Sequence, residues 1–322
     1  MPKLLCSPGD PEWLELRRSG ITASDLPVIM GLVPWDSPWA LYHRKRGTLP
    51  EVEQSDRMRL GSWLESSIQS EWWLSHGGDL SMTGPGLYAN DDRSWQLATP
   101  DAVLDGAVLE CKTSATRDGW GWGDDPTCSC SSEEAKNLIP AYVRAQVLWQ
   151  MDTLQVATGH VAVVFLPSGE FRSYMLSHDH GGGREMPRSG ICDLCDDIRI
   201  MRDKALEFYR RVTGELPAPP VDHLTVTTKA LQEVYAGLDD TLQAELDPDL
   251  YDAWVTARAI ATVADRDAKL LTNQLREAMG KAGVGAINSE PVVRRTVSKR
   301  AGYEVAPGVQ DKLTKIKPKE DA

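Results

Sequence analysis

Asp101, Glu110 and Lys112 are the residues whose types and spacing speak most directly of chemistry. They lie along a stretch that reads as a β-hairpin, with one acid on the first strand and an acid plus a lysine on the second. Asp105-Gly106 between apolar flanks is a strong short-range hairpin signal. Strand side chains alternate faces, so Glu110 and Lys112 share one side while Cys111 points to the other. Two carboxylates and an ammonium on one sheet edge are expensive to assemble without a purpose. A divalent cation supplies one, since hard oxygen ligands suit Mg²⁺ or Mn²⁺.

A plainer reading is a solvated hairpin face carrying an ordinary cross-strand ion pair. Val103-Leu104 and Val108-Leu109 count against it, because they read as buried and a polar trio beside a core needs partners. Pro100, just before Asp101, interrupts a sheet ladder, as at an edge or a bulge. The D-x₈-E-x-K pattern is short and degenerate, so its spacing alone leaves both readings open.

The elements that must position these residues follow from periodicity and punctuation. Asp10-Pro11 opens a helix running to residue 17, and Ser24 or Asp25 caps another. A helix over 56–75 carries Leu60, Leu64, Ile68 and Trp72 at intervals of four and ends at His76-Gly77-Gly78. Strands are expected over 87–89, 95–104 and 107–113, then an irregular loop over 117–132. A helix follows over 140–156, a hairpin over 161–176 turning at Pro167-Ser168-Gly169, and a long helix over 191–212. This order fits a mixed α/β fold with a central mixed sheet flanked by helices. Pro217-Ala218-Pro219-Pro220 reads as a stiff linker, followed by a helical extension that includes 251–279 and ends at Gly280. A basic hairpin-like segment over 292–303 lies near the end. The division expected is 1–216, 217–290 and 291–322.

Composition narrows the class. Of 322 residues, 41% are hydrophobic and 25% charged, as in ordinary globular proteins. No apolar run approaches the roughly 20 residues of a membrane span, and Met-Pro-Lys-Leu-Leu-Cys lacks a signal-peptide core. Six cysteines are too few for a disulfide scaffold, so a cytoplasmic setting is expected. The net charge of −12 argues against coating nucleic acid by bulk attraction. It leaves room for a local basic track: 291–322 holds eight Lys/Arg against four Asp/Glu.

Four ordered blocks then give the chain a resemblance. They are Gly20-Ile21-Thr22-Ala23-Ser24-Asp25 with Gly31-Leu32 and Ser37-Pro38-Trp39; Gly61-Ser62-Trp63-Leu64-Glu65; Pro100-Asp101 with Glu110-Cys111-Lys112; and Ile139-Pro140 through Gln146, Trp149 and Gln150 to Gly159. Over about 12–212 the chain resembles the PD-(D/E)xK nucleases, and among them the lambda-exonuclease/YqaJ-like (RecE-like) recombination exonucleases. The resemblance implies a restriction-endonuclease-like core and a Mg²⁺-dependent deoxyribonuclease, with Mn²⁺ able to substitute. It implies that Asp101, Glu110 and the Cys111 backbone carbonyl hold the metal, with Glu65 serving the same ion or a second one. Lys112 would position or activate the attacking water and stabilise transition-state charge. Gln146 would contact the water or the scissile phosphate; it is preferred to Gln150, which sits a turn further from the helix start.

The same resemblance makes Arg17, Ser24 and Thr99 a pocket for a 5′-terminal phosphate, with Arg18 an equal candidate on sequence grounds. It further implies double-stranded DNA ends as substrate, 5′→3′ digestion of one strand to leave 3′ overhangs for phage-type recombination, a ring-shaped homo-oligomer, and a single-strand annealing protein as partner. A structure-specific endonuclease with the same site and a catalytically inactive DNA-binding protein are the alternatives.

Two readings stand apart from the blocks. Trp120 and Trp122, in Gly-Trp-Gly-Trp-Gly, have little core around them and are expected to stack on bases at a DNA end. Cys128, Cys130, Cys192 and Cys195 raise an iron–sulfur cluster, though their spacing departs from that of the wider nuclease superfamily, and His178 and His180 could join Cys192 and Cys195 around zinc; reduced thiols are the expectation.

Overall fold

A computed structural model of the chain describes residues 2–76, 82–121, 127–129, 138–177, 193–237, 239 and 241–297. Contacts divide it into two compact units, Met1–Ala236 and Gly237–Ala322.

The first unit runs β1 (Lys3–Cys6), α1 (Trp13–Arg18), α2 (Leu26–Ile29), α3 (Pro38–Lys45), α4 (Asp56–Ser75), β2 (Met82–Thr83), β3 (Leu87–Ala89), β4 (Leu97–Ala98), β5 (Ala102–Leu104), β6 (Ala107–Ser114), β7 (Thr127–Ser129), α5 (Ala141–Leu154), β8 (Thr158–Phe165), β9 (Glu170–Ser177), α6 (Asp193–Val212) and α7 (Thr225–Val234). Its central sheet has the order β2-β5-β6-β8-β9-β7. The pairings β6·β8 and β7·β9 are parallel and the others antiparallel, so the sheet is mixed, as expected. A small sheet, β1-β3-β4, stands beside it.

Local chemistry explains the boundaries. Ser55 caps α4 by accepting from the Met58 amide, and Ser37 caps α3 with Pro38 in its first turn. Gly106, at φ +75°, makes the turn between β5 and β6. At Gly159 a side chain would come within 2.5 Å of Val147 Cγ1, so its absence lets β8 press against α5. The central sheet has α4 on one side and α5 on the other. Ile68 and Trp72 of α4 pack with Leu109, Cys111 and Ala162, while Val143, Val147 and Met151 of α5 join Val161 and Val163 in the main core.

Several expectations are corrected. The first helix begins at Trp13, because the Asp10 carboxylate accepts from Ser7 N, 2.7 Å away, and closes a turn instead. The single strand expected over 95–104 is two strands in different sheets. Pro100, with no N–H, ends one ladder, and Asp101 starts the next by donating its amide to Leu109 O at 3.1 Å. The segment over 117–132 is not wholly irregular: β7 pairs with β9. Hence β6 is an interior strand, third of six, and not at an edge. Elements with weak sequence signals, β1, α3 and α7, also appear; Ala230 of α7 packs with Trp39, Ala40 and Leu49.

The second unit contains the long helix α8 (Pro248–Met279), ended by Gly280, and the hairpin of β10 (Val284–Ile287) and β11 (Glu290–Arg294). The hairpin thus starts eight residues earlier than expected, turning at Asn288 and Ser289, both at positive φ. Residues 298–303 lie outside those described. Among the described residues, no helix is long and apolar enough to cross a membrane.

Candidate active site

Strand β6 presents Glu110 and Lys112 to α5, and the two elements are stitched together there. Lys112 Nζ is paired with Glu110 Oε1 and donates to Gln146 Oε1 at 3.0 Å. Gln146 Nε2 donates back to Glu110 Oε1 at 2.6 Å, closing a three-membered ring of contacts. Gln150, one turn on, donates from Nε2 to Glu110 Oε2 at 2.7 Å. Glu110 is only 2% exposed, and each of its oxygens accepts from a protein donor. Burial pulls the Lys112 ammonium down, but Glu110 and Asp101 outweigh it and hold the group above its ordinary value.

Cys111 faces α4, and its thiol is pushed up by burial and by the surrounding carboxylates. A thiol held protonated in this way is a poor ligand, whereas its backbone remains on the cleft wall. Its amide donates to Asp101 Oδ2 at 2.6 Å, and Gln69 Nε2 of α4 donates to the Asp101 carbonyl at 3.2 Å.

Asp101 is raised well above the usual carboxylate range, first by burial, then by Glu110 and Glu65, against the opposing pull of Lys112. Glu65 is raised by burial and by Glu110. All four residues line one cleft of about 680 Å³, together with Trp35, Arg57, Thr113 and Tyr142. Among the described residues, no three of His, Cys, Asp and Glu stand ready-made as a metal cage. The donor set nonetheless suits a hard divalent cation: Asp101, Glu110 and Glu65 bring three carboxyl groups to one cleft against the single ammonium of Lys112, and carboxylate oxygens match Mg²⁺ or Mn²⁺.

A second pocket of about 340 Å³ adjoins the first through Met58, which lines both. Arg17 lies in it, donating to Thr99 Oγ1 at 3.4 Å and to Ser24 Oγ at 3.2 Å, with its guanidinium over the Trp13 ring. The three residues separated by 82 positions in sequence therefore meet. Arg18 is instead paired with Glu51 at 2.8 Å. Lys45, unremarked in the sequence, pins this wall by donating to the carbonyls of Arg17 and Gly20 and pairing with Asp25.

The expectation for Trp120 is corrected. Trp120 is buried, 5% exposed, with its ring against Phe165 and Tyr174. The core it joins is supplied by β8 and β9, which the glycine-rich context could not reveal. Trp122 lies outside the described residues, as do Cys192, His178 and His180 and the side chains of Cys128 and Cys130. Cys195 is partly buried and packs against the main core. Gln150 deserves equal standing with Gln146 as a Glu110 partner; its i+4 spacing from Gln146 was the available signal.

Residues 12–160 match the YqaJ-like viral recombinase domain. The uncharacterized protein YqaJ of Bacillus subtilis (strain 168) is 25% identical, over 94% of this chain and 90% of the relative. Among solved structures, LHK-Exo in complex with dAMP aligns at TM-score 0.47 and 16% identity, covering 63% of this chain and 93% of that one. An alkaline exonuclease from Laribacter hongkongensis aligns at 0.42 and 14%, covering 63% and 96%. A phage-related exonuclease from Haemophilus somnus 129PT aligns at 0.41 and 12%, covering 63% and 99%.

Proposed function

From the match of residues 12–160 to the YqaJ-like viral recombinase domain and the geometry of the cleft, we propose that the chain is a Mg²⁺-dependent exonuclease acting on one strand of linear duplex DNA. The observation that carries this reading is Lys112 Nζ held between Glu110 and Gln146 on the wall of a cleft that Asp101 and Glu65 also line. Asp101, Glu110 and Glu65 through carboxylate oxygens, and Cys111 through its main-chain carbonyl, would hold the ion. When bound, the ion supplies Lewis-acid stabilisation of the charge that builds on phosphate oxygens.

The chain's own residues do the rest. Lys112 donates a hydrogen bond to the attacking water or to a non-bridging phosphate oxygen, countering charge as the water oxygen bonds to phosphorus, the bond from phosphorus to the leaving oxygen breaks, and the proton shed by the water ends on that leaving oxygen. Gln146 fixes the Lys112 ammonium, and Gln150 fixes the Glu110 carboxylate. In the adjoining pocket, Arg17 with Ser24 and Thr99 offers a donor fork and hydroxyls that suit a terminal phosphate. A 5′-phosphate seated there would set the cutting distance, giving 5′→3′ digestion and 3′ overhangs for recombination. A ring-shaped homo-oligomer around DNA and an annealing protein as partner complete the reading.

Linear duplex labelled at either its 5′ or its 3′ end tests it, with Mg²⁺ or with EDTA. Mononucleotides should appear first from 5′-labelled ends, only with Mg²⁺, and covalently closed circles should stay intact. Nicking of closed circles would identify an endonuclease instead. Binding without cleavage would identify an inactive DNA-binding protein.

A further inference from the structure

Helix α8 is 32 residues long, and none of them is buried by the described residues. At 1.5 Å per residue it runs about 48 Å. Leu250, Leu271 and Leu275 are each more than half exposed. A helix of this length with an uncovered apolar stripe gains its stability from packing against something.

The stripe has a coiled-coil period. Leu250, Trp254, Ala257, Ala261, Ala264, Ala268, Leu271 and Leu275 recur at alternating steps of four and three, sustained for more than three heptads. Side-chain size along this seam reads the same from either end: two large residues, four alanines, two large residues. Laid antiparallel on a copy of itself, it sets Leu250 against Leu275, Trp254 against Leu271, Ala257 against Ala268 and Ala261 against Ala264. The alanine centre lets two helix axes approach to the short end of the usual 8–10 Å range, while the bulky ends close over each other.

The flanking charges choose among arrangements. In the antiparallel register just described, Arg258 faces Asp265 of the second copy, and two-fold symmetry makes this pair twice. Sliding by one heptad in one direction opposes Asp265 to Asp265 and Asp267 to Asp267. Sliding in the other opposes Arg258 to Arg258. A parallel pair brings no opposite charges together, since its flanking partners are Ala253 with Arg258, Ile260 with Asp265, Asp267 with Thr272 and Gln274 with Met279. Within one chain Asp265 already pairs with Lys269 at 2.7 Å, so the arriving guanidinium would complete a three-charge cluster.

We propose that α8 is a self-association element, pairing antiparallel with α8 of a second copy of this chain. The seam complements itself in size and charge, which an unlike partner would not require.

The test uses the full-length chain carrying Ala257→Cys or Ala268→Cys and a short bis-maleimide cross-linker. The two variants mixed should give a cross-linked dimer well above the level of either alone or of the parent. Cross-linking of Ala257→Cys with itself as strong as in the mixture, or no gain in the mixture, overturns the proposal. In sedimentation equilibrium, Arg258→Glu and Asp265→Arg should each weaken association at least tenfold, and the double reversal should restore it. Equal association in all three overturns it as well. Both readouts are independent of nuclease activity.

Discussion

Replacing Gln150 with methionine separates positioning from stability at the Glu110 carboxylate. Gln150 is fully buried; its Nε2 donates to Glu110 Oε2 at 2.7 Å, while its Oε1 has no partner among the described residues. Losing a hydrogen bond to a charged acceptor costs about 1.5–3 kcal/mol. Removing a buried, unpartnered carbonyl oxygen returns about 1–3 kcal/mol. Methionine nearly preserves volume, so the two effects offset and the unfolding free energy should change by no more than about 1 kcal/mol. Activity has no such offset. If Glu110 needs that donor to hold its orientation in the transition state, about 1.5–3 kcal/mol is lost there, roughly 10- to 150-fold in kcat. Urea unfolding gives the first quantity, and Mg²⁺-dependent release of nucleotides from linear duplex gives the second. Parental turnover and parental Mg²⁺ dependence would refute the positioning role. A loss of more than about 3 kcal/mol in stability would refute the offset.

Lys112→Ala should lower turnover by roughly 10²–10⁴-fold while thermal unfolding stays cooperative; hydrolysis at the parental rate would remove Lys112 from the mechanism. Arg17→Ala should erase the advantage of 5′-phosphorylated over unphosphorylated ends in initial rates on otherwise identical duplexes, because it removes the donors beside Thr99 and Ser24. Trp120→Ala should cost about 3–5 kcal/mol in urea unfolding, as for a buried aromatic, and not merely weaken DNA-end binding. In EDTA, Asp101 and Glu65 sit above their unfolded values, so the stability they contribute is complete below the ordinary carboxylate range and is lost as pH rises through their folded values. Asp101→Asn should therefore stabilise the metal-free chain at neutral pH relative to pH 4; the same difference between variant and parent at both pH values would contradict the assignment.

Legibility in the sequence followed the range of the interaction. The β5–β6 turn was readable because Gly106 supplies a positive φ that few other residues tolerate, and the shared side of Glu110 and Lys112 followed from the two-residue period of a strand. The course of α4 was readable because Leu60, Leu64, Ile68 and Trp72 recur one helical turn apart. Each of these is decided by atoms within a few bonds or one turn. The limits of such signals also show: Asp10 had the right type for a cap, but its carboxylate found Ser7 first.

The sequence by itself determined the donor types, the alternation on β6 and the class of mixed α/β fold. Tertiary structure decided which residues meet. Parallel pairing of β6 with β8 places Gly159 beside Val108, and the missing side chain there lets α5 lie close enough for Gln146 and Gln150 both to reach Glu110. It also buried Trp120 under rings from β8 and β9, and brought Thr99 to Arg17. No local rule carries these outcomes, because burial and long-range hydrogen bonds depend on surfaces that distant segments supply only once the chain has closed upon itself.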